Sequence, residues 1–493
     1  MINHLAILQV VVPLLAAPIC LIFNQGKSAW RFACLACAIT FAISIGLLLE
    51  VNANGTIMYE LGGWEAPWGI EYKIDYLSSF VLLLISGIGF LVGLGAHSSL
   101  SSELDEKRQP VFYVLYLLCL AGLLGIVATN DVFNVFVFLE ISSLATYALV
   151  SMGKQRQALV AAFQYLVVGT IGATFFLIGV GILYSITGTL NMDDLTRQLQ
   201  YDQRQFLIAT AFGFMVVGIG LKLALFPLHS WLPNAYSYAP SIATAFLAAS
   251  ATKVSLYLLI RLYNGVFGAE VMNSFLPVGQ LLMVLGMAAA LIASIQAMYQ
   301  TQFKHLLAFS SVAQIGYMVT GVGIGTFLGM QAALLHLFNH ALMKAALFLA
   351  VAGICYRIGS ANLNDFRGLG RQMPWTMAGL VIAGLSLIGV PLTVGFVSKW
   401  YLVLAAIEAG YWPIAMLALV GSLLAFFYLW KVVELAYFSE PEIKPSSTQT
   451  EASLSILFPM WILVIANIYF GIDTDLTVGA TQAAASMLLG AGQ

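Results

Sequence analysis

The sequence predicts an all-α polytopic membrane protein that crosses the bilayer about fourteen times. Of its 493 residues, 61% are hydrophobic and only 9% are charged, whereas soluble domains carry about 25% charged residues. Apolar stretches recur from end to end, each close to the roughly 20 residues that a bilayer-spanning helix needs. A soluble chain of this length could not bury so much apolar surface in one core.

Fourteen apolar segments are the predicted spans. The twelfth is too long for one plain crossing, and GVPLTVGF at its centre predicts two half-helices, because proline interrupts the hydrogen-bond ladder. Pro227 interrupts the seventh in the same way. The first apolar run continues into the second without a small-residue cleavage site, which favours a first span over a signal peptide. The segments are 5–23, 30–50, 74–97, 110–128, 131–152, 159–187, 206–227, 240–263, 273–298, 304–324, 329–356, 376–409, 412–438 and 454–472.

Lysine and arginine in the loops predict the orientation, because cytoplasmic loops carry an excess of both. With the amino terminus outside, the inner loops hold Lys27, Arg31, Lys107, Arg108, Lys154, Arg156, Lys304, Arg357, Arg367, Arg371 and Lys444. The outer loops then hold only Lys73, Arg197, Arg204 and Arg261. Both termini are therefore expected on the outer face of the cell (inner) membrane. The net charge of −2 offers no basic surface for nucleic acid.

The layout predicts two related halves and no soluble domain. Each half has five crossings, an odd number, so two such units in tandem must lie inverted. Each contains a broken helix that carries a lysine, Lys222 in helix 7 and Lys399 in helix 12. Paired broken helices in an inverted repeat are typical of a transport site near the midplane. The predicted units are N-terminal helices 1–3 at 1–109, a first five-helix repeat at 110–263, a second at 273–438 and C-terminal helix 14 at 439–493.

Ionisable residues inside the spans are the strongest functional signal, since each costs at least roughly 2.5–3.5 kcal/mol to insert. Glu140 lies near the middle of the fifth span without a cation at i±3 or i±4. We interpret it as a proton-carrying carboxylate; a structural ion pair with another helix is the alternative. Lys222 lies beside a helix break that can admit water, where a nearby carboxylate would switch it between charged and neutral forms. Snorkelling to the interface is the alternative for this lysine.

A second group of ionisable residues lies farther along the chain. Lys253 is in the middle of the eighth span, too deep to reach the interface. In LLHLFNHALMKAALFL, His336, His340 and Lys344 fall at i, i+4 and i+8 and therefore share one helix face. Imidazoles on such a stripe suit a proton relay, whereas a zinc site would need a third ligand that HxxxH lacks here. Lys399 follows the second break.

Other residues in the spans have simpler interpretations. Lys431 and Glu434 stand at i and i+3, where they are expected either to neutralise one another or to join the charge line. Cys34 and Cys37 form CLAC within a span, and small apolar filler explains them better than redox or metal chemistry. The chain has no Walker A pattern, no GxGxxG that opens a helix and no nucleophile with a positioned base. We therefore expect no cofactor, no metal site and no enzymatic centre.

Four segments resemble one known family: NDVFNVFVFLE, GLKLALFPLHSWLPNAYSYAP, FKHLLAFSSVAQIGYM and LLHLFNHALMKAALFLAVAG. They are similar to the proton-translocating antiporter-like subunits shared by respiratory complex I, membrane-bound hydrogenases and multisubunit Mrp cation/proton antiporters. The resemblance extends from about residue 75 to 435. It implies a fourteen-helix fold with two inverted five-helix bundles and broken helices 7 and 12.

The resemblance also implies a role for each buried charge. The family glutamate of helix 5 falls on Glu140, and its paired lysine of helix 7 falls on Lys222. The connecting lysine of helix 8, the central histidines and lysine, and the terminal lysine of helix 12 are Lys253, His336, His340, Lys344 and Lys399. The family often has two prolines before that last lysine, whereas GVPLTVGF has one, so the exact position of this break is open.

The implied function is proton translocation inside a larger membrane complex. The chain length and the lysines in helices 8 and 12 are most similar to the D-type chain of Mrp Na⁺/H⁺ antiporters. The alternative is a proton-pumping subunit of a complex I-like NADH dehydrogenase or hydrogenase. A stand-alone carrier of an organic solute lacks an aromatic-lined polar site, and a scaffold has no use for buried charges. We expect a transporter subunit rather than an enzyme, with other membrane subunits, protons, Na⁺ or another monovalent cation, and lipid as partners.

Overall fold

A computed structural model of the chain describes residues 4–200, 202, 204–440 and 451–489. The helices before the first break are α1 (Leu5–Ile19), α2 (Gly26–Asn54), α3 (Tyr76–Glu103), α4 (Gln109–Ala128), α5 (Val132–Ser151), α6 (Gln157–Thr187), α7 (Met192–Leu199) and α8 (Gln205–Leu223). The later helices are α9 (Trp231–Tyr238), α10 (Ser241–Ile260), α11 (Ala269–Phe275), α12 (Val278–Met298), α13 (Phe303–Ile324), α14 (Phe327–Ile358), α15 (Leu369–Gln372), α16 (Pro374–Ile388), α17 (Val394–Glu408), α18 (Trp412–Phe438), α19 (Leu454–Ile472) and α20 (Asp475–Leu489).

The predicted all-α membrane fold is confirmed. Within the described residues, 13 helices are long and apolar enough to cross a membrane, and α16 with α17 supplies one further, interrupted crossing. The predicted ninth span was too long at its start: α12 begins at Val278, and Pro277 separates it from the short α11. The sequence did not indicate α7, α20 or the antiparallel hairpin of β1 (Ile57–Glu60) and β2 (Glu71–Ile74).

The crossings give the bundle two faces. We call the face on which α1 begins and α19 ends the terminal face, and the other the opposite face. Counting crossings places the β-hairpin, α7, α11 and α20 on the terminal face, and α15 on the opposite face. Helix α14 lies at the centre, where every residue from Gly329 to Ile354 is buried. It packs against α10, α13 and α17.

Two matching backbone bridges reveal the inverted repeat. One joins the start of α5 to the loop after α6, and the other joins the start of α13 to the loop after α14. Each residue of the second bridge lies the same number of positions after its counterpart in the first bridge. Five membrane crossings separate the two bridges. They therefore lie on opposite faces; the exact domain boundaries stay a prediction. The bonds run from Val132 N to Leu190 O (2.9 Å), Met192 N to Asn130 O (2.8 Å), Phe303 N to Ala361 O (2.8 Å) and Leu363 N to Thr301 O (2.9 Å).

Both predicted breaks are present, and both hold strained backbone. Helix α8 ends at Leu223, one residue after Lys222, and α16 ends at Ile388. Among the described residues, Ala224 (φ 58°) and Leu392 (φ 70°) are the two non-glycine positions with positive φ, one in each break. Such a conformation costs on the order of 1–3 kcal/mol and persists where packing enforces it, often at functional sites.

Candidate functional site

Lys222 lies in the last turn of α8 and is 6% exposed. Its ammonium donates hydrogen bonds to Ser143 Oγ (2.6 Å) and Tyr147 Oη (3.0 Å). Glu140 Oε1 is 3.7 Å away. The carbonyl groups that a helix leaves unpaired at its C-terminus favour a cation at this end. The predicted pair of charges is therefore brought together at the break, with two hydroxyl groups beside the lysine.

The three partners of Lys222 share one face of α5, because Ser143 and Tyr147 follow Glu140 at i+3 and i+7. The Glu140 side chain is 25% exposed, on the outside of the chain. Its Oε1 atom is buried and accepts no hydrogen bond from any described residue. A carboxylate oxygen that accepts no hydrogen bond at membrane depth is costly, so this atom calls for a proton, a water molecule or a neighbouring chain.

Aromatic residues pack around the first break and fix the end of α8. Trp231, the first residue of α9, donates its indole N–H to Leu221 O (2.9 Å), a carbonyl that the end of α8 leaves free. Its ring stacks on Tyr165 at 3.9 Å, and Tyr165 packs edge-on against Tyr147 at 4.7 Å. The break is thereby tied to the hydroxyl group that binds Lys222.

A cavity of about 20 Å³ adjoins Lys222, lined in part by Ser142, Thr146, Tyr165 and Ser255. That volume accommodates one water molecule, and the lining offers several polar partners. Because Ser255 belongs to α10, the cavity leads from the Lys222 ammonium toward the helix that carries Lys253. The structure thus supplies a polar step between the seventh and eighth crossings that sequence reasoning did not specify.

Lys253 and Lys344 are completely buried. The Lys253 ammonium donates to Ala248 O (2.5 Å) and contacts Thr252 Oγ1 (3.3 Å). The Lys344 ammonium donates to Ser310 Oγ (2.5 Å) and Leu307 O (2.8 Å). Neither lysine forms an ion pair with any described residue, so each is held by carbonyl and hydroxyl oxygens alone. These neutral partners leave either amine free to lose its proton without breaking a charge pair.

The predicted histidine stripe is a stacked pair in the centre of the bundle. His336 and His340 lie with ring centroids 6.0 Å apart and planes 1° from parallel. His336 Nε2 lies 2.9 Å from Gln314 Oε1, and its Nδ1 lies 2.7 Å from Ser398 Oγ. Neither ring nitrogen of His340 has a partner among the described residues. The second ring is therefore available to a water molecule or to a moving side chain.

Lys399 reaches back across the second break. Its ammonium donates to Leu387 O (3.0 Å) and Ile388 O (2.9 Å), the last carbonyls of α16, and to Ser422 Oγ (3.0 Å). It also lies 5.0 Å from the centre of the Tyr317 ring. Both break lysines thus lie at the negative C-terminal end of a half-helix, although Lys399 itself belongs to the following half.

Not all predicted site residues touch one another. Glu140 meets Lys222, and His336 meets His340. The Tyr317 ring packs edge-on against His336 at 5.9 Å and also lies under Lys399, which connects the stripe to the second break. The described contacts include no hydrogen bond from Lys253 to Lys222 or to either histidine, so that gap requires water or side-chain motion.

Sequence reasoning missed the neutral partners of these charges, namely Ser143, Tyr147, Gln314, Tyr317, Ser398 and Ser422. Spacing could have found two of them, since Ser143 and Tyr147 share the Glu140 face of α5. Nothing in the sequence links Gln314 or Ser422 to a histidine or a lysine on another helix. Their roles depend on which helices pack together.

Of the two alternatives for Lys431, neutralisation by Glu434 is not seen, because no ion pair joins these two residues among the described residues. Lys431 instead points at the C-terminal end of α12, with its ammonium 3.5 Å from Met298 O and 3.3 Å from Gln300 O. A lysine in that position satisfies carbonyl groups that the helix end leaves unpaired. Since Lys431 is tied to a neighbouring helix end rather than to the line of buried charges, we assign it a structural role.

The described residues contain no group of three or more His, Cys, Asp or Glu side chains placed to hold a metal ion. The two histidines of the stripe have serine, glutamine and tyrosine around them. What the arrangement offers chemically is a set of carboxylate, amine and imidazole groups in the interior of the bundle. Each can gain or lose one proton, and all but His340 contact a break, a hydroxyl group or a small cavity.

Known proteins are similar in sequence to this chain over almost its whole length. A family profile described as NADH:quinone oxidoreductase/Mrp antiporter, TM, matches residues 129–425. The N chain of the NADH-quinone oxidoreductase of Desulforudis audaxviator is 41% identical over 495 residues, which covers 96% of each chain. The D chain of the Na⁺/H⁺ antiporter of Alkalihalophilus pseudofirmus is 33% identical over 479 residues, which covers 96% of this chain and 94% of that one.

The fold has a counterpart in the structure of the Mrp complex from a Dietzia species. One chain of that complex superposes with a TM-score of 0.91 at 24% identity, covering 100% of this chain and 98% of that one. At that identity the likeness concerns the fold alone, whereas the profile spans more than half of the chain and includes both break lysines. The chain therefore belongs to the NADH:quinone oxidoreductase/Mrp antiporter transmembrane family.

Proposed function

We propose that this chain translocates protons as a subunit of a multisubunit Na⁺/H⁺ antiporter. The observation that carries the proposal is the Lys222 ammonium at the first break, 3.7 Å from Glu140 and hydrogen-bonded to two hydroxyl groups. A protonated carboxylic acid beside a neutral amine can hand its proton over, leaving a carboxylate and an ammonium. Moving the lysine away from Glu140 weakens that charge pair and makes the ammonium a better proton donor.

The proton line continues from Lys222 through Lys253, Lys344 and the histidine stripe to Lys399. Two features support this order. The cavity beside Lys222 is lined partly by α10, the helix of Lys253. Helix α10, which carries Lys253, packs against α14, on which Lys344 follows His340 at i+4, and the ring nitrogens of His340 are unpartnered among the described residues. Water molecules complete the steps that direct contacts do not.

Other membrane subunits are required partners. Glu140 is partly exposed on the outside of the chain at membrane depth, where lipid would leave a charged carboxylate unsolvated. A neighbouring subunit that covers α5 would solvate it and pass protons to it. The excess of lysine and arginine in the loops of the opposite face favours a cytoplasmic location for that face, with both termini outside the cell membrane.

The family likeness supports a second candidate function, a proton-pumping subunit of a redox-driven complex. The relative named as part of an NADH-quinone oxidoreductase is 41% identical, against 33% for the relative named as part of an antiporter. The buried charges suit either machine, because both move protons across the membrane. The energy source alone separates them, and it belongs to the partner subunits.

Cation-dependent proton movement in inverted vesicles tests the function. The chain is expressed with its native neighbours, the vesicles are energised by respiration, and a pH-sensitive dye reports the gradient while Na⁺, K⁺ or Li⁺ is added. Dequenching on Na⁺ addition that Lys222→Ala abolishes and Lys107→Ala retains supports the antiporter. Lys107 is an exposed loop lysine and serves as the matched control. Proton movement that appears only when a redox substrate is supplied supports the second candidate function. No proton movement under either condition refutes both candidate functions.

A further inference from the structure

A polar cavity of about 250 Å³ opens on the terminal face, between the ends of α3, α4, α7 and α10. Its lining includes Lys73, Asp75, Thr129, Asn130 and Asp193. The C-terminal helix α20 closes one side with Met487 and Leu488. None of these residues belongs to the proposed proton line. The cavity is large enough for several water molecules and has both charged and neutral groups to bind them.

One face of α10 leads from the proton line to this cavity. Lys253, Tyr257 and Arg261 follow at i, i+4 and i+8, with a rise of about 6 Å per step. Tyr257 and Arg261 both line the cavity. The helix changes to a π-helical turn at Arg261–Val266, a local distortion that is frequent at functional sites.

Tyr257 lies one helical turn from Lys253 and lines the cavity, and its hydroxyl group has two hydrogen-bond partners. It donates to Val127 O (2.9 Å) on α4 and accepts from Arg261 Nε (2.9 Å). A hydroxyl group in this position can take a proton on one side while it releases its own on the other. The tyrosine is then unchanged after each transfer.

Asp75 supplies the second, independent observation. One of its carboxylate oxygens binds Arg261 and the backbone N–H of Ser78. The other, Oδ2, has no partner among the described residues, although the side chain is only 1% exposed. Asp75 lines the polar cavity, and a buried carboxylate oxygen without a protein partner calls for water.

A purely structural role accounts for the Asp75–Arg261 ion pair, which ties α3 to α10, but not for the cavity. The opposite face provides a comparison. Its cavity of about 330 Å³ includes Cys355 of α14, and every side chain between Lys344 and Cys355 is apolar. On α10, only one helical turn separates Lys253 from a residue that lines the terminal-face cavity.

We propose that this cavity is the opening of the proton path on the terminal face and that Tyr257 relays protons between Lys253 and the cavity water. In this structure the Lys253 ammonium bonds to Ala248 O, on the side away from Tyr257, so the lysine is not in contact with the relay. When the lysine swings toward Tyr257, the ammonium gives a proton to the hydroxyl oxygen while the hydroxyl proton passes to water. Lys253 is left neutral. This inference rests on the proposed proton translocation, whichever machine the chain serves.

Tyr257→Phe tests the relay, because it removes one hydroxyl group and leaves the Asp75–Arg261 pair intact. We expect proton transport by the assembled complex to fall at least tenfold, given that positioned proton-transfer groups contribute roughly 10²–10⁴-fold. Tyr263→Phe is the matched control: its hydroxyl group is also buried near the end of α10 but contacts Asn273 Oδ1. Full transport in Tyr257→Phe overturns the relay, as does an equal loss in both variants.

Thiol labelling tests the opening without relying on transport. Thr196 lines the cavity, whereas Thr174 is exposed in the middle of α6 at membrane depth. A charged, membrane-impermeant thiol reagent applied to the terminal face of the assembled complex should label Thr196→Cys and not Thr174→Cys. The chain without either substitution gives the background labelling of the native cysteines. An unlabelled Thr196→Cys overturns the opening. An inactive wild-type complex refutes the proposed function itself, whereas an active complex with an active Tyr257→Phe refutes this inference alone.

Discussion

The Lys222 ammonium lies 3.7 Å from Glu140 Oε1, but it makes its hydrogen bonds to Ser143 and Tyr147. Charge-assisted N–H···O bonds are typically about 2.7–2.9 Å long, so the two charges are close without being joined. The hydroxyl groups are placed to hold the lysine away from the carboxylate, as the proposed switchable pair requires.

Glu140→Gln should abolish proton transport while the complex still assembles. The amide keeps the shape of the carboxyl group but carries no exchangeable acid proton, so we expect a loss of at least tenfold, within the roughly 10²–10⁴-fold contribution of such groups. Dye-based transport in vesicles and the amount of complex on native gels are the two measurements. Glu434→Gln, which changes an exposed carboxylate on α18, is the control and should transport normally. Normal transport in Glu140→Gln would refute the role of this residue.

Gly169→Ala should displace Tyr147 from Lys222. A Cβ atom at position 169 would lie 1.8 Å from Tyr147 Oη, so the hydroxyl group must move. Alanine is the better helix former by up to roughly 1 kcal/mol, and we therefore expect slower transport without loss of thermal stability. Gly181→Ala, on the same helix with nothing within 4 Å of the added atom, is the matched control. If both variants transport at the same rate, the Tyr147 contact is dispensable.

The features that the sequence predicted are those that carry a large free-energy cost. Apolar length predicts the spans, and the buried charges Lys222 and Lys399 stand out because few ionisable residues are tolerated at membrane depth. Proline and glycine beside them predicted both breaks. Even so, α8 ends four residues before Pro227, because Ala224 adopts a left-handed conformation that no sequence pattern signals.

The features that remained hidden depend on tertiary packing. The bridge that repeats between the two halves consists of backbone hydrogen bonds, which impose almost no side-chain identity. Gln314 and Ser398 are ordinary in membrane helices, and only the packing of α13 and α17 against α14 brings them to His336. Spacing on α18 offered Glu434 as one alternative partner of Lys431, whereas the carbonyl groups that Lys431 contacts lie at the end of another helix, α12.

Lys431→Met should lower stability slightly and leave transport intact. The substitution removes a cation from the end of α12, an interaction typically of roughly 0.3–1 kcal/mol, and keeps most of the side-chain volume. Thermal unfolding of the purified complex should show a small decrease in the transition temperature, while the vesicle assay should match wild type. Loss of transport with unchanged stability would instead place Lys431 in the proton line.

Gln314→Met should slow proton transport through the histidine stripe. A neutral imidazole has one N–H group, and when the Gln314 amide turns Oε1 toward His336 Nε2, 2.9 Å away, that proton belongs on Nε2. His336 Nδ1 then accepts from Ser398 Oγ at 2.7 Å. Turning the Gln314 amide would reverse this arrangement, so the glutamine sets which nitrogen of His336 carries the proton.

Methionine fills a similar volume without any group that can bind the ring, so neither tautomer is favoured and His336 Nε2 is left unpartnered. We expect a reduced transport rate with an unchanged amount of assembled complex. Gln331→Met is the control, since Gln331 is equally buried on α14 but bonds to Val478 O at 3.4 Å, away from the stripe. A rate that falls only in Gln314→Met would show that proton transfer passes His336 in a defined tautomer. Equal rates in the two variants would mean that the path bypasses this ring.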